Sequence, residues 1–140
     1  MTIPKPLISP LPIQRDTKSA FFFDSARDDR LAVAVCADCD AVLAPESMVC
    51  VRCAGTRLEP GVASGAATLV TWTVVHRAPN PLFADCVPYV VGVVELTEGP
   101  WMYARIDVRQ PEAGMPLSAS FVHPAEGESY PVFGDGSSDG

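Results

Sequence analysis

Basic residues are scarce. The chain of 140 residues carries 10 Lys and Arg against 17 Asp and Glu, a formal net charge of −7. A protein that grips a phosphate backbone displaces counterions with Lys and Arg, so this balance argues against nucleic acid as the partner. Long hydrophobic runs are missing as well. No stretch approaches the ~18–20 apolar residues of a membrane span, and no membrane contact is expected. The N-terminus, MTIPKPLISPLPIQRD, is broken by prolines at 4, 6, 10 and 12. It lacks the uninterrupted apolar core of a signal peptide, so the chain reads as cytoplasmic. Thiols stay reduced in that compartment, which turns attention from disulfides to metal for the five cysteines. No internal repeat is visible.

What is present is globular. Apolar residues make up 48% and charged residues 19%, a composition that folds. The length suits one main domain with a small appendage, and a chain of this size buries roughly two-thirds of its unfolded surface. Residues 1–15 are Pro-rich and expected to be extended, an arm for lying along a partner. Residues 17–28 predict a short helix, with Asp16 or Thr17 as N-cap and Phe22 and Ala26 as an i, i+4 apolar pair. Phe21, Phe22 and Phe23 cannot all face one side of it. Either the helix is clamped between two surfaces or one ring docks on another chain.

Residues 36–53 read CADCDAVLAPESMVCVRC, two CxxC pairs with ten residues between them. Cys36, Cys39, Cys50 and Cys53 supply the four soft ligands that zinc prefers. Two residues between paired cysteines let both sulfurs reach one ion. The position after the second cysteine of a knuckle often needs a left-handed backbone, and here Asp40 and Ala54-Gly55 take those places. A catalytic zinc needs an open coordination position for water, which four cysteines close. The favoured reading is a structural zinc ribbon. An iron site of rubredoxin type uses the same ligands. A dithiol redox pair needs no second CxxC.

From Thr68 the pattern turns to strands. TLVTWTVVH (68–76) alternates, with Val70, Trp72 and Val74 on one face. YVVGVVEL (89–96) is apolar on both faces, with Gly92 marking a bulge or a barrel corner. WMYARID (101–107) places Met102, Ala104 and Ile106 inside and Trp101, Tyr103 and Arg105 opposite. LSASFV (117–122) and YPVF (130–133) complete about five strands, separated by turn residues. The fold class expected is mainly β: an N-terminal arm and helix over 1–30, a rubredoxin-like zinc ribbon over 31–60, and a five-stranded OB-fold barrel over 61–133. Residues 134–140 are expected to be a disordered tail.

A short Phe-containing helix, a four-cysteine ribbon, a strand ending VVH and a five-stranded barrel together resemble the DUF35 family of zinc-ribbon/OB-fold proteins. The segments that carry the likeness are FFFDSARDDRLAVAVCADCD, VCVRCAG, GAATLVTWTVVHRAPNPLF, PYVVGVVEL and the Gly114-Met115-Pro116 loop. The resemblance covers roughly residues 17–133. It implies a subunit that pairs with a thiolase-like enzyme in acyl-CoA metabolism, in an assembly of two copies of each chain. Thiolysis, condensation and retro-aldol cleavage of CoA thioesters, steroid or aromatic, are the implied chemistries. The catalytic residues would belong to the partner, with none expected here. Zn²⁺ would be structural and a CoA thioester the ligand of the complex. Two places depart from the family pattern: Asp40 stands where Gly is common, and Ala44-Pro45-Glu46 stands where Pro-Pro-Arg is common.

The residues expected to touch acyl-CoA or the partner are Phe22, Trp72, His76, Arg77, Leu82, Phe83 and Arg105. Trp72 fits a barrel core as well as a binding platform. His76 follows Trp72 and Val74 in phase, at an interface or capped on a nearby carbonyl. Arg77 and Arg105 suit CoA phosphates, which a planar guanidinium holds bidentately, or a solvated surface. Leu82 and Phe83 sit in the long loop 79–88, where unsupported apolar residues mark an interface. His123 reads as plain surface, and Cys86 as an inert loop thiol without a base in evident reach. Three further classes stay open: a single-stranded nucleic-acid binder, an iron-loaded electron carrier, and a stand-alone enzyme.

Overall fold

A computed structural model describes Ser9, residues 11–78 and residues 80–135. Most of the Pro-rich arm and the tail from residue 136 lie outside the described residues. The chain is mainly β with one helix, α1 (Ala20–Arg27). α1 starts later than the sequence suggests. Asp16 accepts from the N–H and hydroxyl of Ser19 at 2.8 Å each, so its carboxylate caps a separate turn, and Ser19 becomes the N-cap.

Two sheets follow. β1 (Leu31–Cys36) is the centre of a three-stranded antiparallel sheet, between β2 (Val42–Leu43) and β3 (Leu58–Ala63). β3 pairs along the whole of β1, from Leu31↔Ala63 to Cys36↔Leu58. The second sheet is a closed barrel in the order β4 (Ala66–Val75), β5 (Tyr89–Leu96), β6 (Trp101–Asp107), β8 (Tyr130–Gly134), β7 (Pro116–Val122). β4 pairs with both β5 and β7, and closure comes from the parallel pair β6–β8. This is the five-stranded OB-like barrel the sequence predicts. Gly134 belongs to β8 rather than to a tail.

The barrel is filled by Leu69, Val94, Leu96, Ile106, Leu117 and Phe133, all buried. Burying each such side chain is worth about 1.5–3 kcal/mol. β6 keeps the expected faces: Ile106 is buried, while Trp101 and Tyr103 are exposed. β4 does not keep one phase. A bulge between Leu69 and Thr71 shifts the register. Leu69 points into the core before it, and Trp72 aligns with Gly92 after it. Gly92 is therefore not the bulged residue; it pairs with Trp72, just past the bulge. A Cβ there would lie 2.5 Å from the Thr71 carbonyl oxygen.

α1 packs on β1 and β8, with Ala26 fully buried. The described part of the arm runs over the loop between β7 and β8. Glu128 N–H donates to Ile13 C=O at 2.8 Å, and Arg15 holds the Glu128 carboxylate through two bonds of 2.9 Å. Gly127 allows this approach, since a Cβ there would meet the Ile13 backbone nitrogen at 2.8 Å. Among the described residues no helix is long and apolar enough to cross a membrane.

Candidate functional site

The two CxxC pairs fold into matching knuckles. In the first, Asp40 N–H donates to Cys36 C=O at 2.9 Å and Cys36 N–H donates to Ala41 C=O at 2.9 Å. In the second, Ala54 N–H donates to Cys50 C=O and Cys50 N–H donates to Gly55 C=O, both at 2.8 Å. Each turn closes through a left-handed residue, Asp40 and Ala54, both with φ of 64°. The left-handed backbone expected after each CxxC pair is thus adopted without glycine. Asp tolerates it better than Ala does.

The knuckles bring four Sγ atoms within 4.8 Å of one another. Cys36 and Cys53 are 3.6 Å apart, as are Cys39 and Cys50, so each close contact joins one knuckle to the other. A tetrahedral thiolate site with Zn–S of ~2.3 Å places its sulfurs about 3.8 Å apart. The donor set fits such an ion. Its electrostatics point the same way. The Cys53 N–H, against burial and with the Arg52 N–H, holds Cys50 down to about 7. The Gly55 N–H favours the Cys53 thiolate, but contact with Cys36 and Cys39, together with burial, pushes that thiol up to about 12. Four thiolates this close repel one another, and a divalent cation reverses that balance. Asp38, between the first pair, is ion-paired to Arg57, which holds its carboxyl below the usual range.

The other sequence-derived residues fall in separate places. Phe22 is half-buried against the barrel core and edge-on to Phe23, with ring centroids 5.5 Å apart. Trp72 is 38% exposed, outside the core clusters. His76 and Arg77 are exposed just beyond β4. Leu82 is exposed and Phe83 half-buried on a 3-10 turn, Pro81–Phe83, which Asn80 caps by accepting from Leu82 N–H at 2.9 Å. Arg105 stacks over the Tyr89 ring at 4.8 Å, not on its sequence neighbour Tyr103. Cys86 is buried, and no hydrogen bond joins it to His76 among the described residues. His123 is more than plain surface: its ring bridges Ser129 Oγ and Asp29 Oδ1, both at 2.7 Å.

Sequence reasoning missed a groove of about 770 Å³. Its walls come from α1 and the turn before it (Lys18, Phe21, Phe22), the ribbon insert (Pro45, Met48) and β6 (Met102, Tyr103). These segments are far apart in the chain, so no local pattern reveals the juxtaposition. The surplus phenylalanines were its signal: Phe22 serves the core and the groove together.

Comparison with known proteins adds the following. A family model described as "ChsH2, C-terminal OB-fold domain" matches residues 62–122. A Thermomonospora curvata protein named "probable enoyl-CoA hydratase alpha subunit" is 32% identical over 133 residues, covering 93% of this chain and 40% of that one. A "DUF35 domain-containing scaffold protein" of Methanocaldococcus jannaschii is 34% identical over 90 residues, covering 61% of this chain and 63% of that one. The chain thus spans less than two-thirds of the length of either relative. The solved structure named "Ltp2-ChsH2(DUF35) aldolase" contains a chain that superposes with a TM-score of 0.74 at 30% identity, covering 86% of this chain and 95% of that one.

Proposed function

The chain belongs to the DUF35 family, and we propose that it is a non-catalytic accessory subunit of an acyl-CoA enzyme. In this reading it binds a thiolase-like partner, two copies of each, and helps hold a CoA thioester whose C–C bond the partner cleaves or forms. The carrying observation is the likeness, over nearly the whole of the related chain, to a component of a structure named as an aldolase. The cysteine cluster supports a structural Zn²⁺, held by Cys36, Cys39, Cys50 and Cys53, that fixes the ribbon beside α1 and β6. Phe22, Trp72, His76, Arg77, Leu82, Phe83 and Arg105 remain the proposed contacts to partner or ligand.

Co-expression with a thiolase-like protein of the same genome tests this. The expected result is a complex of two and two by light scattering, with one zinc per copy of this chain. Turnover of acyl-CoA by this chain alone would overturn it. A second reading has its own support, since 93% of the chain matches a protein named as a hydratase subunit. There the partner would be a hydratase. The same co-expression with a hydratase-fold protein in place of the thiolase-like one separates the two.

A further inference from the structure

The second knuckle exposes more apolar surface than its size requires. Val51, between Cys50 and Cys53, is 91% exposed. Met48 is 64% exposed, and Val49 is exposed beside it. A free chain end could hide such residues by collapsing, but this one cannot. The left-handed turn at Ala54, the bonds of Cys50 to Ala54 and Gly55, and the sulfur cluster fix it in place. A cluster of exposed apolar residues held on a fixed turn is the mark of a contact site.

The tip is not isolated. Met48 also lines the groove between α1 and β6, together with Phe21. The chain is acidic, with a net charge of −7, and Asp16 and Glu46 line the groove; the knuckle itself carries Arg52, with Lys18 of the turn before α1 beside Met48, both exposed. Neither makes an ion pair among the described residues; Lys18 Nζ meets only Met48 Sδ, at 3.9 Å. By contrast Arg15, Arg27 and Arg57 each hold a carboxylate. Two unpaired cations on an apolar tip of an acidic protein complement an apolar recess rimmed by carboxylates.

We infer that the second zinc knuckle, through Met48, Val51 and Arg52 with Lys18 beside them, is the docking tip that enters a carboxylate-rimmed apolar recess on the enzyme partner. This rests on the accessory-subunit reading above and adds the surface and the chemistry of its counterpart. Interface anchors of this kind carry much of the affinity, while charge at the rim sets the rate of encounter and its salt dependence.

The test is a titration of the purified chain against the co-expressed thiolase-like protein, by calorimetry at two salt concentrations. Val51→Asn is expected to weaken binding about tenfold, in the range of a truncated apolar anchor. Arg52→Glu is expected to weaken it further at low salt and to abolish the salt dependence. Val62→Asn, on the exposed side of β3, is expected to stay within about twofold, as befits a surface residue outside the contact. One zinc per chain in every variant separates lost contact from lost fold. Unchanged affinity in zinc-loaded Val51→Asn and Arg52→Glu would overturn the docking tip while leaving the subunit reading intact. No complex with the wild-type chain would overturn both. A wild-type dimer that Val51→Asn converts to monomer would show that the tip binds a second copy instead.

Discussion

The ribbon and the barrel are held together by different means. The barrel encloses Leu69, Val94, Leu96, Ile106, Leu117 and Phe133 between five strands, and hydrophobic burial alone accounts for it. The ribbon has little to bury. Its core is Ala34, Cys36, Ala41, Leu43 and Cys50, two alanines, one leucine and two of the four thiols. A sheet that includes a two-residue strand does not hold on that. β1 joins the two regions: Leu31 and Val33 belong to the barrel core, Ala34 and Cys36 to the ribbon core. One region folds on its own side chains, and the other pairs a small core with a cysteine cluster that could hold a metal ion. The second can therefore present apolar residues such as Val51 to solvent, because it does not need them inside.

The largest expected effect comes from taking the ion away. A structural zinc contributes on the order of 10 kcal/mol to folding. Cys36→Ser or Cys50→Ser is expected to lose zinc and to unfold residues 37–57, read as lost amide protection, while β5 and β6 stay protected. Barrel strands that open in the same step would break the comparison. The converse variant is Phe133→Ala. It is expected to destabilise the barrel by about 3–5 kcal/mol, as a large buried ring lost to a cavity does, with zinc stoichiometry unchanged. Denaturant melts with metal analysis check this.

Gly92→Ala sharpens the barrel side. Its Cβ would press on the Thr71 carbonyl oxygen, and overpacking of this kind costs about 1–3 kcal/mol. A neutral result would show that the bulge in β4 yields. Ala54→Gly acts on the ribbon in the opposite direction. Relief of the left-handed backbone outweighs the added freedom of the unfolded chain, for a gain of about 0.5–1 kcal/mol, measurable as tighter retention of zinc under a chelator.

The smallest effect concerns the arm. Glu128 lies below the usual carboxylate range, chiefly through its bond with Arg15. A carboxylate with a depressed folded value adds stability above its unfolded value and loses it as pH falls through the folded one. Amide protection of residues 11–16 is therefore expected to fall in acid while the barrel is unaffected. Protection that does not change between neutral pH and acid would show that the arm is held by backbone contacts alone.

Much of this was legible in the sequence where a period or a spacing carries the physics. CxxC spacing gave the cluster, and alternation placed the faces of β6. Asp40 and Ala54-Gly55 marked the left-handed turns. Other features had no local signal. β3, LEPGVA, holds a proline and a glycine, which weaken any strand reading, and it forms because β1 offers a full-length partner. The bulge in β4 depends on what faces it across the sheet. The start of α1 moved because Asp16 bonds Ser19 rather than opening the helix. The groove and the exposed knuckle depend on how the ribbon sits on the barrel, which no single segment encodes.

The central claim is that this chain supports chemistry performed elsewhere. The most direct measurement is the steady-state turnover of acyl-CoA by this chain alone, by the thiolase-like protein alone, and by the two mixed. The account predicts no turnover by this chain, and a rate for the mixture well above that of the partner, saturating at one copy of each. Turnover by this chain alone, or a mixture no faster than the partner by itself, would contradict it.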